Sequence, residues 1–243
     1  MAEQARPAYY ATSGGGWRDW WTLLHPPYTA WHLSYVVIGA SLAPHPSTSR
    51  LIASVLAFFF AVGISAHALD ELHGRPLRTT IPSAALVGAV GLGLVGAVTL
   101  GVVGVVKVGW VLVPFIVVGP LLVVAYNAEL FGGVVHTDAG FAASWGAFPL
   151  LTAYVAESST LRLAPVLAAL GAFAISYAQR SLSTPARAVR RSATEVEGSM
   201  RMSDGTMMRI EERTILAPLE RALRSMSWGM VLLAAALAVA RLS

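Results

Sequence analysis

Residues 85–106 read ALVGAVGLGLVGAVTLGVVGVV, a stretch in which Thr99 is the one side chain able to hydrogen-bond. A run this long matches the roughly 20 apolar residues that a helix needs to cross the ~30 Å hydrocarbon layer of a bilayer. Backbone N–H and C=O groups find no water there, so only a helix or a closed barrel satisfies them. The apolar/polar alternation of a barrel strand is absent, which leaves the helix. Six more segments share this character, giving seven candidate spans at about 29–45, 50–71, 82–104, 108–130, 139–157, 161–180 and 226–242. Hydrophobic residues make up 56% of the 243, charged residues only 12%, and mean hydropathy is +0.63; soluble domains carry about 25% charged residues. The expected fold is an all-α polytopic membrane bundle of about seven transmembrane helices. His32 and Ser34 interrupt the first span. The closely spaced glycines of the third let helices approach one another, which predicts a place inside the bundle.

Charge sets the expected organisation. The ends of the even-numbered spans meet Arg75 and Arg78, then the nine arginines from Arg180 to Arg224, whereas Arg50, Lys107, Arg162 and Arg241 stand singly at the other ends. The positive-inside rule puts the N-terminus in the cytoplasm and the C-terminus outside, in the cytoplasmic (plasma) membrane. Four parts follow: a cytoplasmic or interfacial segment 1–28, a six-helix membrane bundle 29–180, a charged cytoplasmic loop 181–225 and a final span 226–243. The first 28 residues hold Arg6, Arg18, three tryptophans and a Gly run without an early apolar core, so no cleavable leader is expected. WRDWWTLLHPPYTAW reads as an interfacial helix with indoles at headgroup depth, or as a wall of a substrate pocket. Within 181–225, a turn at Asp204-Gly205 suits a hairpin, and EERTILAPLERALRSM suits an amphipathic helix. The loop is either a solvated connection or, through its arginines, a phosphate contact. The net charge is only +4, and basic residues flanking apolar spans set topology or meet anionic lipid, so no nucleic-acid partner is expected. There is no cysteine, which excludes disulfides and thiolate chemistry. No Gly-rich phosphate loop, HExxH, GxSxG or internal repeat is present.

AHALDELHGRPLRTTIPS, residues 66–83, follows the second span directly. Ionisable groups at a membrane edge are costly and mark a site. His67, Asp70 and Glu71 stand at i, i+3 and i+4, on one face of a continued helix. Arg75 is four residues on, and Pro76 closes the helix. The bland reading is an ion pair between Glu71 and Arg75 with His73 among headgroups. Outside the charged loop the acids are Glu3, Asp19, Asp70, Glu71, Glu129, Asp138 and Glu157. Asp70, Glu71, Glu129 and Asp138 converge on the cytoplasmic ends of spans two and four. Span four ends VVAYNAELFGGVVHTD, with Tyr126 and Glu129 on one face and His136 in the following loop. Glu71, Asp70 and Glu129 are candidate Mg²⁺ ligands, with Arg75 and Arg78 for phosphate. Alternatively His67, Glu71, Glu129 and His136 form a mixed site for Fe, Mn or Zn.

The tail HGRPLRTTIPS resembles the helix-end motif NDxxDxxxDxxxxRPL of the UbiA-type intramembrane prenyltransferase superfamily. Aligned on Arg75-Pro76-Leu77, Glu71 takes the place of the third Asp and His67 that of the second; Asp70 is out of register. HPPYTAWHLSYVVIGASLAP, VVAYNAELFGG and WGAFPLLTAY resemble the family's first, fourth and fifth spans, so the likeness runs over about residues 20–180. Where the family carries its second Asp-rich motif, this chain reads AISYAQRSLSTPARAVRR, keeping Tyr177 and Ala178 without an Asp. The chain has seven candidate spans where the family typically has nine. The resemblance implies a prenyltransferase-like bundle that transfers a prenyl or similar lipid group from a diphosphate donor. Asp70, Glu71 and Arg75 would be catalytic. Arg75, Arg78, Tyr126 and His67 would line the substrate, and Mg²⁺ would sit on Glu71, Asp70 and Glu129. Two alternatives stand beside it: a His/carboxylate metal enzyme acting on a lipid or quinone, with His67 and His136 as ligands, and a non-catalytic homologue that binds isoprenoid lipid or supports a membrane complex.

Overall fold

The computed structural model describes residues 7–12 and 15–242; Glu3 and Arg6 lie outside the described residues. A short helix α1 (Trp17–Leu23) and the helix α2 (Pro26–Ser41) lead into six helices long and apolar enough to cross a membrane. These are α3 (Thr48–Leu72), α4 (Ser83–Val108), α5 (Trp110–Asn127), α6 (Asp138–Ser158), α7 (Leu163–Ser192) and α8 (Glu212–Leu242). Between α7 and α8 stands one antiparallel hairpin, β1 (Glu197–Arg201) and β2 (Met207–Glu211), turning at Asp204-Gly205 where the sequence suggests it. The chain is thus an all-α polytopic membrane bundle with one small hairpin outside it. Successive helices run up and down, so α3, α5 and α7 end where α2, α4, α6 and α8 begin; this is the near end, and the hairpin stands there.

The centre of the bundle is α2, although it has only 16 residues. Trp31 and Tyr35 are fully or almost fully buried against Leu150 of α6, Ala169 and Ala172 of α7, and Leu223, Met230 and Ala234 of α8, and Val36 and Ala40 are fully buried against Leu51 of α3 and Ala153 of α6. Its polar residues are all satisfied internally. Ser34 Oγ donates to the Ala30 carbonyl at 2.7 Å, and His32 Nδ1 to the Trp145 carbonyl at 3.0 Å. Gly39 is the closest approach: a Cβ there would run into the Leu150 carbonyl. Gly146 lies equally tight against Ser176 and the Ala172 carbonyl.

The Gly-rich third span corrects an expectation. Helix α4 lies at the periphery, with Leu92 76%, Val106 78% and Val95 65% exposed. Its glycines work on one side only. Gly93 abuts Ser65 and the Phe60 carbonyl, Gly96 the Phe60 ring and Gly101 Ile116. The valines and leucines between them face outward, where lipid is as good a solvent as a protein core. A second difference concerns 181–225. α7 continues through Arg180 to Ser192 and α8 already starts at Glu212, so only 193–211 is non-helical. The charged extension of α7 is held because one side of it, Ser183 and Ala186, is buried.

Two helices change winding. Phe59–Ala66 in α3 and Ala143–Ala147 in α6 are π-helical, a rare geometry that often marks functional positions. α3 then stops at Leu72, before Pro76, because Gly74 takes φ 81°. We expect Gly39→Val to lower thermal stability by about 1–3 kcal/mol of overpacking, while Gly88→Ala, whose added methyl meets nothing within 4 Å, leaves it unchanged or raised. Melting curves of the two purified variants check this.

Candidate functional site

Polar side chains from four helices and one loop converge at the near end. α2 and the residue before it supply His25, Tyr28 and His32, α3 His67 and Asp70, and α5 Tyr126. The loop to α6 supplies His136, and α7 supplies Arg180, Arg187 and Arg191. The rings of His25 and His67 stack with centroids 4.3 Å apart, and those of Tyr126 and His136 with centroids 4.5 Å apart. His67 Nδ1 donates to the Gly63 carbonyl at 3.1 Å and His136 Nδ1 to the Tyr126 carbonyl at 2.9 Å, leaving each Nε2 as an acceptor. Tyr10 hydroxyl donates to His25 Nδ1. The His25 Nε2–H and the Tyr126 hydroxyl are buried without a hydrogen-bond partner among the described residues. Asp70 is within electrostatic reach of Arg187, Arg191 and His136, and Arg187 of Arg180, Arg191 and Tyr28.

The three arginines follow from helical spacing. Arg180, Arg187 and Arg191 stand at i, i+7 and i+11 on α7, one face of a helix. Arg180 Nε donates to Asp138 at 2.9 Å and its guanidinium lies 5.5 Å from the Phe141 ring. Among the described residues neither Arg187 nor Arg191 has a carboxylate within 4 Å; they contact Thr184 and the Pro7 carbonyl. Half-buried guanidiniums without a counter-charge are an anion site in chemical terms.

The motif 66–83 divides differently from its sequence spacing. Glu71 is fully buried, and its carboxylate is spent on the following loop. Oε2 accepts from the Leu77 N–H at 3.0 Å, and Oε1 accepts from the Thr79 N–H at 2.9 Å and the Thr79 hydroxyl at 2.8 Å. Asp19 does the same for the next residue, accepting from the N–H and hydroxyl of Thr80, both at 2.6 Å. Arg75, at φ 54°, turns back onto its own loop and donates to the Ile81 carbonyl at 2.5 Å and to Ser83 Oγ at 2.8 Å rather than pairing with Glu71. Arg78 is exposed and reaches the Arg191 carbonyl at 3.5 Å. Asp70, in contrast, makes no hydrogen bond among the described residues and faces the arginines. Glu129 is 58% exposed and 3.9 Å from His136. Among the described residues no three His, Asp or Glu side chains stand close enough together to hold a metal ion. The structure therefore gathers Asp70, His67, Tyr126 and His136, keeps Glu71, Arg75 and Arg78 apart from them, and leaves the largely exposed Glu129 at the edge beside His136. The sequence motif did not announce Arg180, Arg187, Arg191, His25, Tyr28 or Tyr10; the i, i+7, i+11 arginine spacing is the signal that finds three of them once α7 is extended past residue 180.

The residues 7–12 cover this chamber. Ala8 and Ala11 are buried, Arg224 lies 4.6 Å over the Tyr9 ring, and Thr12 N–H donates to Thr22 Oγ1 at 3.0 Å. Burial first, and the charges of His67 and Arg191 after it, hold the His25 imidazole well below its ordinary value. Burial likewise pushes the Tyr10 phenol well up. Fold and site together define a polytopic α-helical membrane protein with a basic, polar chamber at one end. Comparison with protein-family models, with curated proteins and with solved structures gives no match.

Two outcomes follow. Glu71→Ala leaves the buried Leu77 and Thr79 N–H groups unpaired, at about 1–3 kcal/mol for each donor; Asp70→Asn is expected to change stability far less, and melting temperatures of the pair discriminate. His25 stays neutral when folded and takes a proton when unfolded below pH ~6.5. Its contribution is therefore present above that pH and lost as pH falls. Thermal stability should drop below pH ~6.5, and the drop should be smaller in His25→Gln.

Proposed function

We propose that this chain is an integral membrane protein of UbiA prenyltransferase-like architecture that binds the phosphate or diphosphate headgroup of an isoprenoid-type lipid. The observation that carries this reading is the arginine face of α7: Arg187 and Arg191, without a carboxylate partner among the described residues, beside Arg180, Asp70 and two buried donors, the His25 Nε2–H and the Tyr126 hydroxyl. Guanidinium groups match phosphate geometry with paired N–H donors, and the partly buried setting strengthens them. The order of elements along the chain and the HGRPLR loop after α3 support the architecture. Counting the central α2 as a short seventh membrane helix gives seven spans. Arginine crowds the near end, while only Arg50, Lys107, Arg162 and Arg241 stand at the other, which supports a cytoplasmic N-terminus and an external C-terminus in the plasma membrane.

One observation favours prenyl transfer as a second reading. Asp70 is the chamber's carboxylate that hydrogen bonds have not consumed, so it is the residue that would hold Mg²⁺, with lipid phosphate oxygens supplying further ligands. Arg187 and Arg191 would then stabilise the charge of the departing diphosphate.

In calorimetric titration, geranylgeranyl diphosphate is expected to bind without added Mg²⁺, and Arg187→Gln or Arg191→Gln to weaken it roughly tenfold or more. Mg²⁺-dependent turnover that disappears in Asp70→Asn would establish the transferase reading. Absence of diphosphate binding at every Mg²⁺ concentration would sink the headgroup reading itself. A reporter fused at Gly205 should report the cytoplasm; an external signal reverses the orientation and the side from which the chamber opens.

A further inference from the structure

A second site lies toward the far end of the bundle. Helices α3, α4, α5 and α6 enclose a cleft of about 570 Å³, within the range of small-molecule sites. Its walls are almost wholly apolar, Phe58, Phe115 and Phe148 among them, and small residues such as Ala57, Ala97 and Gly119 keep the space open. A Cβ on Gly119 would meet the Phe148 ring at 3.5 Å. Polar groups gather at one extremity: Ser47, Ser49, Arg50 and Lys107. Behind them is a buried carboxylate, Glu157, whose Oε2 accepts from the Ser47 N–H at 2.8 Å and lies 3.1 Å from Arg50 Nε. Its Oε1 has no hydrogen-bond partner among the described residues, and neither does Arg50 Nε. Arg50 and Glu157 neutralise each other. Lys107 makes no ion pair among the described residues, so the mouth carries one uncompensated positive charge.

The other extremity is closed. Val62, Val123 and Trp145 border the cleft, and in the same cluster they pack against Tyr126 of the polar chamber. Val123 is 1% and Trp145 5% exposed; this is a packed wall between chamber and cleft. Ala97 to Lys107 on α4 covers about 15 Å of helix rise, so a linear hydrocarbon chain fits along the wall with its head at Lys107.

We infer that the cleft binds a single-chain amphiphile with an anionic head, of the long-chain carboxylate class, its head at Lys107 and Ser49 and its chain running toward Trp145. The charge at the mouth selects the head and the apolar walls hold the chain. The wall keeps this ligand separate from any lipid phosphate in the chamber.

The test is equilibrium binding of radiolabelled palmitate to the full chain in phosphatidylcholine nanodiscs, with empty nanodiscs as reference. Saturable binding near one per chain is expected, reduced roughly tenfold by Lys107→Glu and abolished by Ala57→Phe or Ala97→Leu, variants whose folding is checked by their melting curves. Arg187→Gln should leave palmitate binding unchanged. Three results would overturn the inference: no binding above empty nanodiscs, indifference to Lys107→Glu, or competition between palmitate and geranylgeranyl diphosphate, which would mean one ligand spans both spaces. Diphosphate binding is measured separately, so the chamber reading survives or fails independently of this one.

Discussion

Inside a bilayer a polar group finds no water, and each one must be matched by a partner from the protein itself. That constraint orders this molecule. His32, Ser34, Ser65 and Asn127 bond backbone carbonyls within or between helices, and Glu71 and Asp19 secure the loop between α3 and α4. Among the described residues, the groups left without a hydrogen bond or a counter-charge include Asp70, Arg187, Arg191, the His25 Nε2–H, the Tyr126 hydroxyl and Gln179 Oε1 at one end of the bundle, and Lys107, Arg50 Nε and one oxygen of Glu157 at the other. A functional site in such a protein is best sought among the groups that folding has left unmatched, and the acid most deeply buried is for that reason the least available.

The spans were legible because length and apolarity are sufficient to state that a helix crosses a membrane. Their arrangement was not, because apolarity does not distinguish protein from lipid. The glycine-rich α4, the most apolar stretch, faces outward, while α2, interrupted by His32 and Ser34, is central. The interruption is itself the signal: a lipid-facing helix could not carry those side chains, whereas a helix surrounded by others can satisfy them. The extension of α7 to Ser192 was not legible for the opposite reason, since its arginines read as a charged loop, either a solvated connection or a phosphate contact, and helical spacing shows only when the helix is already assumed.

The motif 66–83 was legible as a place and misleading as a chemical formula. Counting in α-helical steps put His67, Asp70 and Glu71 on one face as site groups, and the alignment on Arg75-Pro76-Leu77 put Asp70 out of register. In the structure a π-helical turn from Phe59 to Ala66 feeds the last turn of α3, and the left-handed residues Gly74, Arg75 and Arg78 fold the loop back so that Glu71 meets Leu77 and Thr79. Neither the π winding nor the positive φ of two arginines is encoded in spacing. In this chain the residues of that motif clamp the loop, and the arginines that face the polar cluster come from α7 instead of Arg75 and Arg78.

The two π segments have a common consequence. Val62 belongs to the first and Trp145 to the second, and both side chains form the wall that divides the polar chamber from the apolar cleft. A π turn carries one residue more than the α-helical ladder needs, so it presents side chains that a regular helix would rotate away. Here it turns a valine and a tryptophan into a common partition, with Tyr126 on one side and the cleft on the other. The partition is thin, essentially one layer of side chains, and it is built from the least regular backbone in the bundle.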